Sequence, residues 1–325
     1  MEKSNSRIEY LDIAKGLCIF LVVMIHTGVP EIIPHIYASK VVLFFVLSGY
    51  FYHDDIPCVS FIKKKMHTLF VPFLFFYVIS YVFYYLMIAW KPSFATLTDA
   101  KGIFDCFTQK NYFNGPVWFL LSLFEIQMIV FLIRKLFRKE KWQWLIYLAL
   151  FVGGYYLSIK NVDLSLNLDS SITFVVFFAI GYKIHELRLL ESLNAMMCLI
   201  CSLIGYLLFC IFPVDCYASI NRYGCDNVGQ LFLMILVLSL TIILFCKVLS
   251  EIKWKRLGIF SYSGKHTLWI LCSHHLVYRP IKMICSRMII GNGTLCAFIV
   301  FLLTILICLQ TASYMERKIP WALGK

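Results

Sequence analysis

The sequence predicts an all-α integral membrane protein that crosses the bilayer about ten times. Of its 325 residues, 61% are hydrophobic and only 15% are charged, whereas a soluble domain has about 45–50% apolar and about 25% charged residues. The mean hydropathy is +0.79. A hydrophobic core for a chain of this length does not need so many apolar side chains, so most of the excess must face lipid.

Ten apolar runs have about the length that a helix needs to cross ~30 Å of hydrocarbon. Inside lipid every backbone N–H and C=O must be paired internally, and a helix achieves this within one segment. We therefore predict a single membrane domain over residues 1–325, with spans near 12–29, 36–52, 69–90, 117–133, 144–158, 170–184, 195–212, 228–246, 267–280 and 295–312.

The basic residues indicate the orientation of these spans. A net charge of +12 is compatible with nucleic-acid binding, but basic residues of membrane proteins also concentrate in cytoplasmic loops. With the N-terminus inside, the inner segments carry about twice as many Lys and Arg residues as the outer loops. An even number of crossings then places both termini in the cytoplasm. The expected partner is the lipid bilayer, and nucleic acid is not expected.

The cysteines do not predict a metal site. Most of the 13 cysteines lie in predicted spans, where a free thiol packs as a small apolar group. Their spacings lack the pattern of zinc ligands. Cys216 and Cys225 lie in a predicted outer loop, where a disulfide is chemically possible. Spacing alone does not show that the two sulfurs meet, so this question stays open.

Three polar residues interrupt the first span on one helical face. Lys15 and His26 differ by about 20° around the helix axis and by ~16 Å along it, and Asp12 lies about 40° from His26. An ionisable residue inside a span is a functional hypothesis by default. The alternatives are an interfacial pair of Asp12 with a snorkelling Lys15 and a neutral interhelical hydrogen bond of His26.

Five segments of the chain form an ordered set of motifs. They are YLDIAKGLCIFLVVMIH (10–26), FFVLSGYFY (44–52), FIKKKMHTLFVPF (61–73), GPVWFLLSLF (115–124) and GKHTLWILCSHH (264–275). In this order they resemble the membrane acyltransferase-3 family and above all its fucose 4-O-acetylase-like branch. The resemblance covers nearly the whole sequence.

The resemblance implies transfer of an acyl group, usually acetyl, from cytoplasmic acyl-CoA to a hydroxyl of a glycan or another envelope molecule. The expected location is the bacterial cytoplasmic membrane, with acetyl-CoA as co-substrate and no metal. Most members carry an arginine eleven residues before the first-helix histidine, and here that position is Lys15. Many members of the branch have a histidine where this chain has Lys40.

The family pattern also assigns the candidate catalytic residues. His26 is the expected general base, because an imidazole near its ordinary pKa can take the proton of an alcohol in the transition state. His274 is the second candidate, at a comparable depth in a late helix. His275 is interpreted as structural, since adjacent helix positions point about 100° apart. We expect Asp12 to orient or neutralise Lys15.

Donor and acceptor contacts are predicted at two further groups of residues. Lysines are suitable point charges for the donor phosphates, although positive-inside placement also explains them. The denser basic run from Arg134 to Lys141 is interpreted as a topology signal. The predicted donor-binding residues are Lys15, Lys63, Lys64, Lys65 and Ser48; the predicted acceptor-binding residues are Trp118 and Glu125.

Each of these assignments has a simpler alternative. Ser48 and Gly49 also suit a close approach of two helices, and Trp118 is placed where an interfacial tryptophan is ordinary. The rival function for the whole chain is a transporter or flippase of an envelope glycan precursor, with His26 and Glu125 as proton-relay groups. No repeat symmetry of the kind common in transporters is visible. The sequence does not predict the acceptor sugar or the oligomeric state.

Overall fold

The chain folds into a bundle of helices, most of which are long and apolar. The computed structural model describes residues 8–31, 33, 36–90, 114–217, 222–224, 227–252, 257–288 and 292–325. In chain order the α-helices are α1 Glu9–Thr27, α2 Lys40–Tyr50, α3 Cys58–Lys65, α4 Val71–Trp90, α5 Trp118–Leu136, α6 Glu140–Ile159, α7 Leu168–Glu186, α8 Ala195–Ile211, α9 Val228–Glu251, α10 Gly258–Lys265, α11 Thr267–Met288 and α12 Gly293–Lys318.

Short irregular helices complete the connections. A π-helical turn, Met66–Phe70, joins α3 to α4, and a 3-10 turn, Gly115–Val117, leads into α5. Further 3-10 turns cover Ile36–Ser39, Ser165–Asn167 and Pro320–Leu323.

Seven helical segments of the described chain are long and apolar enough to cross a membrane. Each of the ten predicted spans coincides with a helix, but three of these helices fall outside the seven. Two of the three, α2 and α8, are apolar yet short, and the second half of α11 carries Arg279, Lys282 and Arg287. The seven segments are Glu9–Thr27, Cys58–Met87, Gly115–Leu136, Glu140–Ile159, Ser165–Glu186, Val228–Glu251 and Gly293–Lys318.

The predicted outer loop after α8 contains the β-structure found in the described residues. Two three-residue strands, β1 Asp215–Tyr217 and β2 Arg222–Gly224, pair antiparallel with Cys216 opposite Tyr223. The rest of the described regular structure is helical, in agreement with the predicted fold class. Cys225 lies outside the described residues, so a disulfide between Cys216 and Cys225 is neither supported nor contradicted.

The stretch 247–266 lies between two predicted spans, and its described residues are largely helical. It contains the end of α9 and the whole of α10, which packs closely on α1. A Cβ atom at Gly16 would lie 1.9 Å from the carbonyl oxygen of Phe260, and one at Gly264 would lie 1.9 Å from that of Asp12. Only glycine permits such an approach of two backbones, and it fixes α1 against the C-terminal part of the chain.

The start of α1 and the end of α12 lie at the same end of the bundle, which we call the N-terminal end. Gly264 of α10 touches the backbone of Asp12 in the first turn of α1. Two residues further on, His266 Nδ1 lies 2.6 Å from Glu316 Oε1 in the last turns of α12. The count of about ten crossings and the cytoplasmic side of both termini stay predictions.

Candidate active site

Three histidine rings meet where the last turn of α1 contacts the middle of α11. The ring centroid of His26 lies 4.5 Å from that of His275 and 5.4 Å from that of His274, and the latter two are 5.0 Å apart. One nitrogen of each ring lies within 4.8 Å of the others. The structure thus brings together the two predicted catalytic histidines and adds His275. We call these three residues the histidine cluster.

The structure places the ring of His275, which the sequence suggested to be structural, beside His26, and its role stays a prediction. Consecutive side chains of a helix diverge by about 100°, but α1 lies in the sector between His274 and His275, so both rings reach His26. The HH pair at 274–275 was the signal in the sequence. Which of two adjacent side chains contacts a neighbouring helix depends on how the helices pack, and residue spacing within one helix does not predict that packing.

The hydrogen bond of His274 defines which of its nitrogens is available. Its Nδ1 lies 2.8 Å from the carbonyl oxygen of Ile270, and because a carbonyl can only accept, Nδ1 must carry the proton. The other nitrogen, Nε2, is then a lone-pair acceptor. It is buried and has no hydrogen-bond partner among the described residues, so a base or ligand nitrogen is directed into the protein interior.

Asn114 and Gly115 pack beside the cluster and were not predicted as site residues. The Asn114 amide donates to the carbonyl of Cys272 at 2.7 Å and to the hydroxyl of Ser80 at 3.0 Å. A Cβ atom at Gly115 would lie 3.5 Å from Cε1 of His275. Asn114 Oδ1 is buried and has no hydrogen-bond partner in the part of the chain that is described. The Asn-Gly-Pro sequence predicted only a turn before a helix.

Lys15 and Asp12 lie on α1 toward the N-terminal end of the bundle. Lys15 Nζ is 3.6 Å from Asp12 Oδ1 and 4.0 Å from the ring centroid of Phe51. Asp12 is only 3% exposed. The predicted pair is therefore present, and an aromatic ring holds the ammonium group against the protein. By helix geometry Lys15 and His26 are separated by ~16 Å along α1, so they form two stations and not one cluster.

Comparison with known proteins identifies the family. A family model described as an acyltransferase domain matches residues 8–312. The chain belongs to the acyltransferase-3 family. No curated protein and no solved structure matches it. Together with the seven membrane-length helices, the family makes this chain a multi-pass membrane acyltransferase.

Two of the predicted donor-binding lysines of this acyltransferase contact the same short segment after α2. Lys15 lies over the ring of Phe51, and Lys65 lies 5.8 Å from the ring centroid of the next residue, Tyr52. Lys65 is half-buried, whereas Lys63 and Lys64 are exposed at the end of α3. Lys65 also lies 5.2 Å from the ring centroid of Phe61. Donor binding by these four lysines stays a prediction.

Of the neighbouring residues Ser48 and Gly49, the structure gives a packing role to Gly49. A Cβ atom at Gly49 would lie 1.9 Å from the carbonyl oxygen of Phe178, so Gly49 allows α2 and α7 to approach closely. Ser48 is half-buried beside it. A role of Ser48 in lining a donor path stays a prediction.

The two predicted acceptor residues occupy different environments. Trp118 is 6% exposed and packs inside the bundle, and its part in acceptor binding stays a prediction. Glu125 Oε2 accepts a hydrogen bond from Ser171 at 2.6 Å. It lies ten residues beyond Gly115, about 15 Å along the helix, and so away from the histidine cluster. Its part in an acceptor path stays a prediction.

The basic run that begins at Arg134 borders a cavity of 240 Å³ between α5, α6 and α7. Arg134 Nε donates to Asp54 Oδ2 at 2.7 Å, and its Nη2 donates to the hydroxyl of Tyr182 at 2.9 Å. Lys183 lies 2.8 Å from Glu140 and 2.7 Å from Glu186. Since Arg134 is paired with Asp54 and Tyr182, this first residue of the run contributes to helix packing in addition to charge.

Proposed function

We propose that this acyltransferase moves an acetyl group from cytoplasmic acetyl-CoA to a hydroxyl of a cell-surface glycan or of its lipid-linked precursor. The observation that carries the proposal is the contact of His26 with two further histidines inside a chain of this family. The proposed location is the bacterial cytoplasmic membrane, with about ten crossings and both termini in the cytoplasm. The likeness of its motifs to the fucose 4-O-acetylase-like branch supports a sugar hydroxyl as acceptor.

In the proposed reaction His26 acts as general base. It takes the proton of the acceptor hydroxyl while the oxygen attacks the thioester carbonyl, which forms a tetrahedral intermediate with a negatively charged oxygen. Collapse of the intermediate breaks the carbon–sulfur bond. The departing thiolate takes the proton back from the imidazolium of His26, so that the products are the acetyl ester and CoA–SH.

His274 supports this role through its fixed protonation. With Nδ1–H bonded to Ile270, its Nε2 can accept a hydrogen bond from an N–H of His26. This bond strengthens when His26 becomes an imidazolium during the reaction. A neutral acceptor beside a transient cation in a buried site stabilises that cation. In the proposal His274 is therefore the positioning partner of His26. Asn114 Oδ1 is suited to accept a hydrogen bond from a neighbouring hydroxyl of the acceptor sugar, because the reacting hydroxyl gives its proton to His26.

The separation of Lys15 and His26 suits a CoA thioester. Its phosphates would lie near Lys15, with Lys65 as a second cation, and the pantetheine arm would extend along α1 to His26. Lysine binds phosphate as a point charge, without the two-pronged geometry of arginine. Asp12 would orient Lys15 through the contact already present.

The position of Lys40 separates this chain from many members of the branch. Its Nζ donates to the carbonyl oxygen of Tyr37 at 3.1 Å, at the start of α2. An ammonium group donates hydrogen bonds and has no acceptor lone pair, unlike a neutral imidazole. We therefore assign no catalytic step to Lys40.

A transporter or flippase of a glycan precursor is the alternative, and the family match does not favour it. Deleting the gene distinguishes the two functions. For the proposed enzyme, mass spectrometry of surface glycan should show loss of O-acetyl groups with the glycan still present. A transporter would instead reduce the amount of glycan. Wild-type protein should restore acetylation, whereas His26→Ala at the same membrane level should not.

A further inference from the structure

The histidine cluster has the composition of a transition-metal site. We propose that His26, His274 and His275 together bind one divalent ion of the Zn²⁺ type reversibly. The three rings come from two helices that are packed against each other, and their nitrogens lie within 4.8 Å of one another. The proposal concerns ion binding and does not depend on acyl transfer.

The geometry is close to that of a three-histidine site. A zinc–nitrogen bond of about 2.0–2.1 Å in a tetrahedron places ligand nitrogens roughly 3.3 Å apart. The nitrogens of the cluster need to converge by at most ~1.5 Å from their present separation to reach this value. Rotations of the imidazole rings about their side-chain bonds are sufficient, since the ring centroids are already 4.5–5.4 Å apart.

His274 already has the outer contact that ligating histidines show. A metal-bound imidazole almost always donates its second N–H to a carboxylate, carbonyl or water, which fixes the ring and its tautomer. His274 Nδ1 makes this bond to Ile270 O at 2.8 Å, and its buried Nε2 has no hydrogen-bond partner among the described residues. Nε2 of His274 therefore already carries the lone pair that a metal ion requires.

The ligand chemistry defines the class of ion and the strength of binding. Imidazoles select Zn²⁺, Cu²⁺, Ni²⁺ or Co²⁺ over Mg²⁺ and Ca²⁺, which need oxygen ligands. The three-residue group contains no carboxylate or thiolate, and the cations Lys40 and Arg279 lie within electrostatic reach of His26. A fourth ligand from the medium is needed, and binding is expected to be reversible and weaker than in a structural zinc site.

Binding has a consequence that rests on the proposed function. A metal ion would occupy the lone pair with which His26 takes the proton of the acceptor. The bound ion should therefore inhibit acyl transfer, and chelation should restore it.

The test uses the full-length protein, purified in detergent with an affinity tag that contains no histidine. Co²⁺ serves as the probe, because tetrahedral Co²⁺ has strong visible absorption. Wild-type protein should bind one equivalent with a tetrahedral spectrum, and Zn²⁺ should displace it. His274→Ala and His275→Ala should each raise the apparent Kd by more than ~100-fold. Loss of a hydrogen-bond partner of a ligand already weakens metal binding by about 10–100-fold, and loss of the ligand itself should weaken it more. The control His185→Ala should bind as the wild type does.

Two results would overturn the proposal. One is the absence of the tetrahedral Co²⁺ spectrum in folded wild-type protein, and the other is an unchanged Co²⁺ affinity of His275→Ala. If a variant fails to fold, X-ray absorption of the wild-type protein with Zn²⁺ decides the matter: three imidazole ligands support the site, and fewer contradict it. Stoichiometric binding without inhibition would contradict the general-base role of His26 and leave the metal site in place.

Discussion

The ring of His26 lies 4.5 Å from that of His275 at an interplanar angle of 82°, so the edge of one imidazole meets the face of the other. One residue belongs to the first helix and the other to the penultimate helix. Their contact is possible because glycine-mediated packing of α10 on α1 brings the C-terminal part of the chain back to the start of the bundle. The candidate site therefore depends on both ends of the sequence.

We expect His274→Ala to slow acetyl transfer without weakening donor binding. A hydrogen bond to a charged group contributes about 1.5–3 kcal/mol, which corresponds to about 10–100-fold in rate. The loss should appear in kcat, with the KM for acetyl-CoA nearly unchanged, in an assay of CoA–SH release. His185→Ala is the matched control at the N-terminal end of the bundle. A similar loss in the control, or a change confined to KM, would argue against a positioning role.

Lys15→Ala should weaken acetyl-CoA binding. Removing one charge-assisted contact to a phosphate costs about 1.5–3 kcal/mol, or about 10–100-fold in Kd. Calorimetric titration of the purified variant measures this directly. Lys15→Arg should bind nearly as well as wild type, because the positive charge is retained. Equal affinity of Lys15→Ala and wild type would exclude the donor-site role.

Arg134→Ala should lower stability and leave donor affinity unchanged. The substitution leaves the mostly buried carboxylate of Asp54 without its ion pair. Since the Arg134 side chain is 25% exposed, we expect about 1–3 kcal/mol, less than for a fully buried pair. Thermal unfolding in detergent measures the change, with Lys139→Ala in the same basic run as control. A large fall in acetyl-CoA affinity would show instead that this run binds the donor.

Gly49→Ala and Gly181→Ala should each destabilise the packing of α2 against α7. The new methyl group would lie 1.9 Å from the carbonyl oxygen of Phe178 or of Val46, so the helices must separate, at about 1–3 kcal/mol. In α6, a methyl group added at Gly153 would meet no heavy atom of the described residues within 4 Å. Gly153→Ala should therefore preserve or raise the melting temperature, because alanine favours the helix by up to ~1 kcal/mol in the free energy of unfolding. Equal effects of the three substitutions would contradict the close approach.

Helix positions were well predicted from the sequence, because apolar length is a local property of the chain. All ten predicted spans coincide with helices. Two helices lie between predicted spans: α3, which extends the third span through a π-helical turn, and α10, whose stability depends on docking to α1 through Gly16 and Gly264. A hydropathy pattern contains no information about such a docking surface.

The site was predicted in part, for a related reason. Helical spacing and the family resemblance identified His26 and His274, and the structure brings them together. The same reasoning did not place His275 or Asn114 beside them, because these contacts join elements distant in sequence. Burial of Trp118 was also not predicted, since an apolar run does not distinguish a lipid-facing side from a protein-facing one.

The most direct test of the proposed mechanism is acetyl transfer by His26→Ala. With purified protein, acetyl-CoA and acceptor glycan, the variant should lose about 10²–10⁴-fold in rate, the usual contribution of a general base. Its melting temperature and acetyl-CoA affinity should stay close to those of wild type. Acetyl transfer by folded His26→Ala at the wild-type rate would contradict the central claim that His26 is the catalytic base.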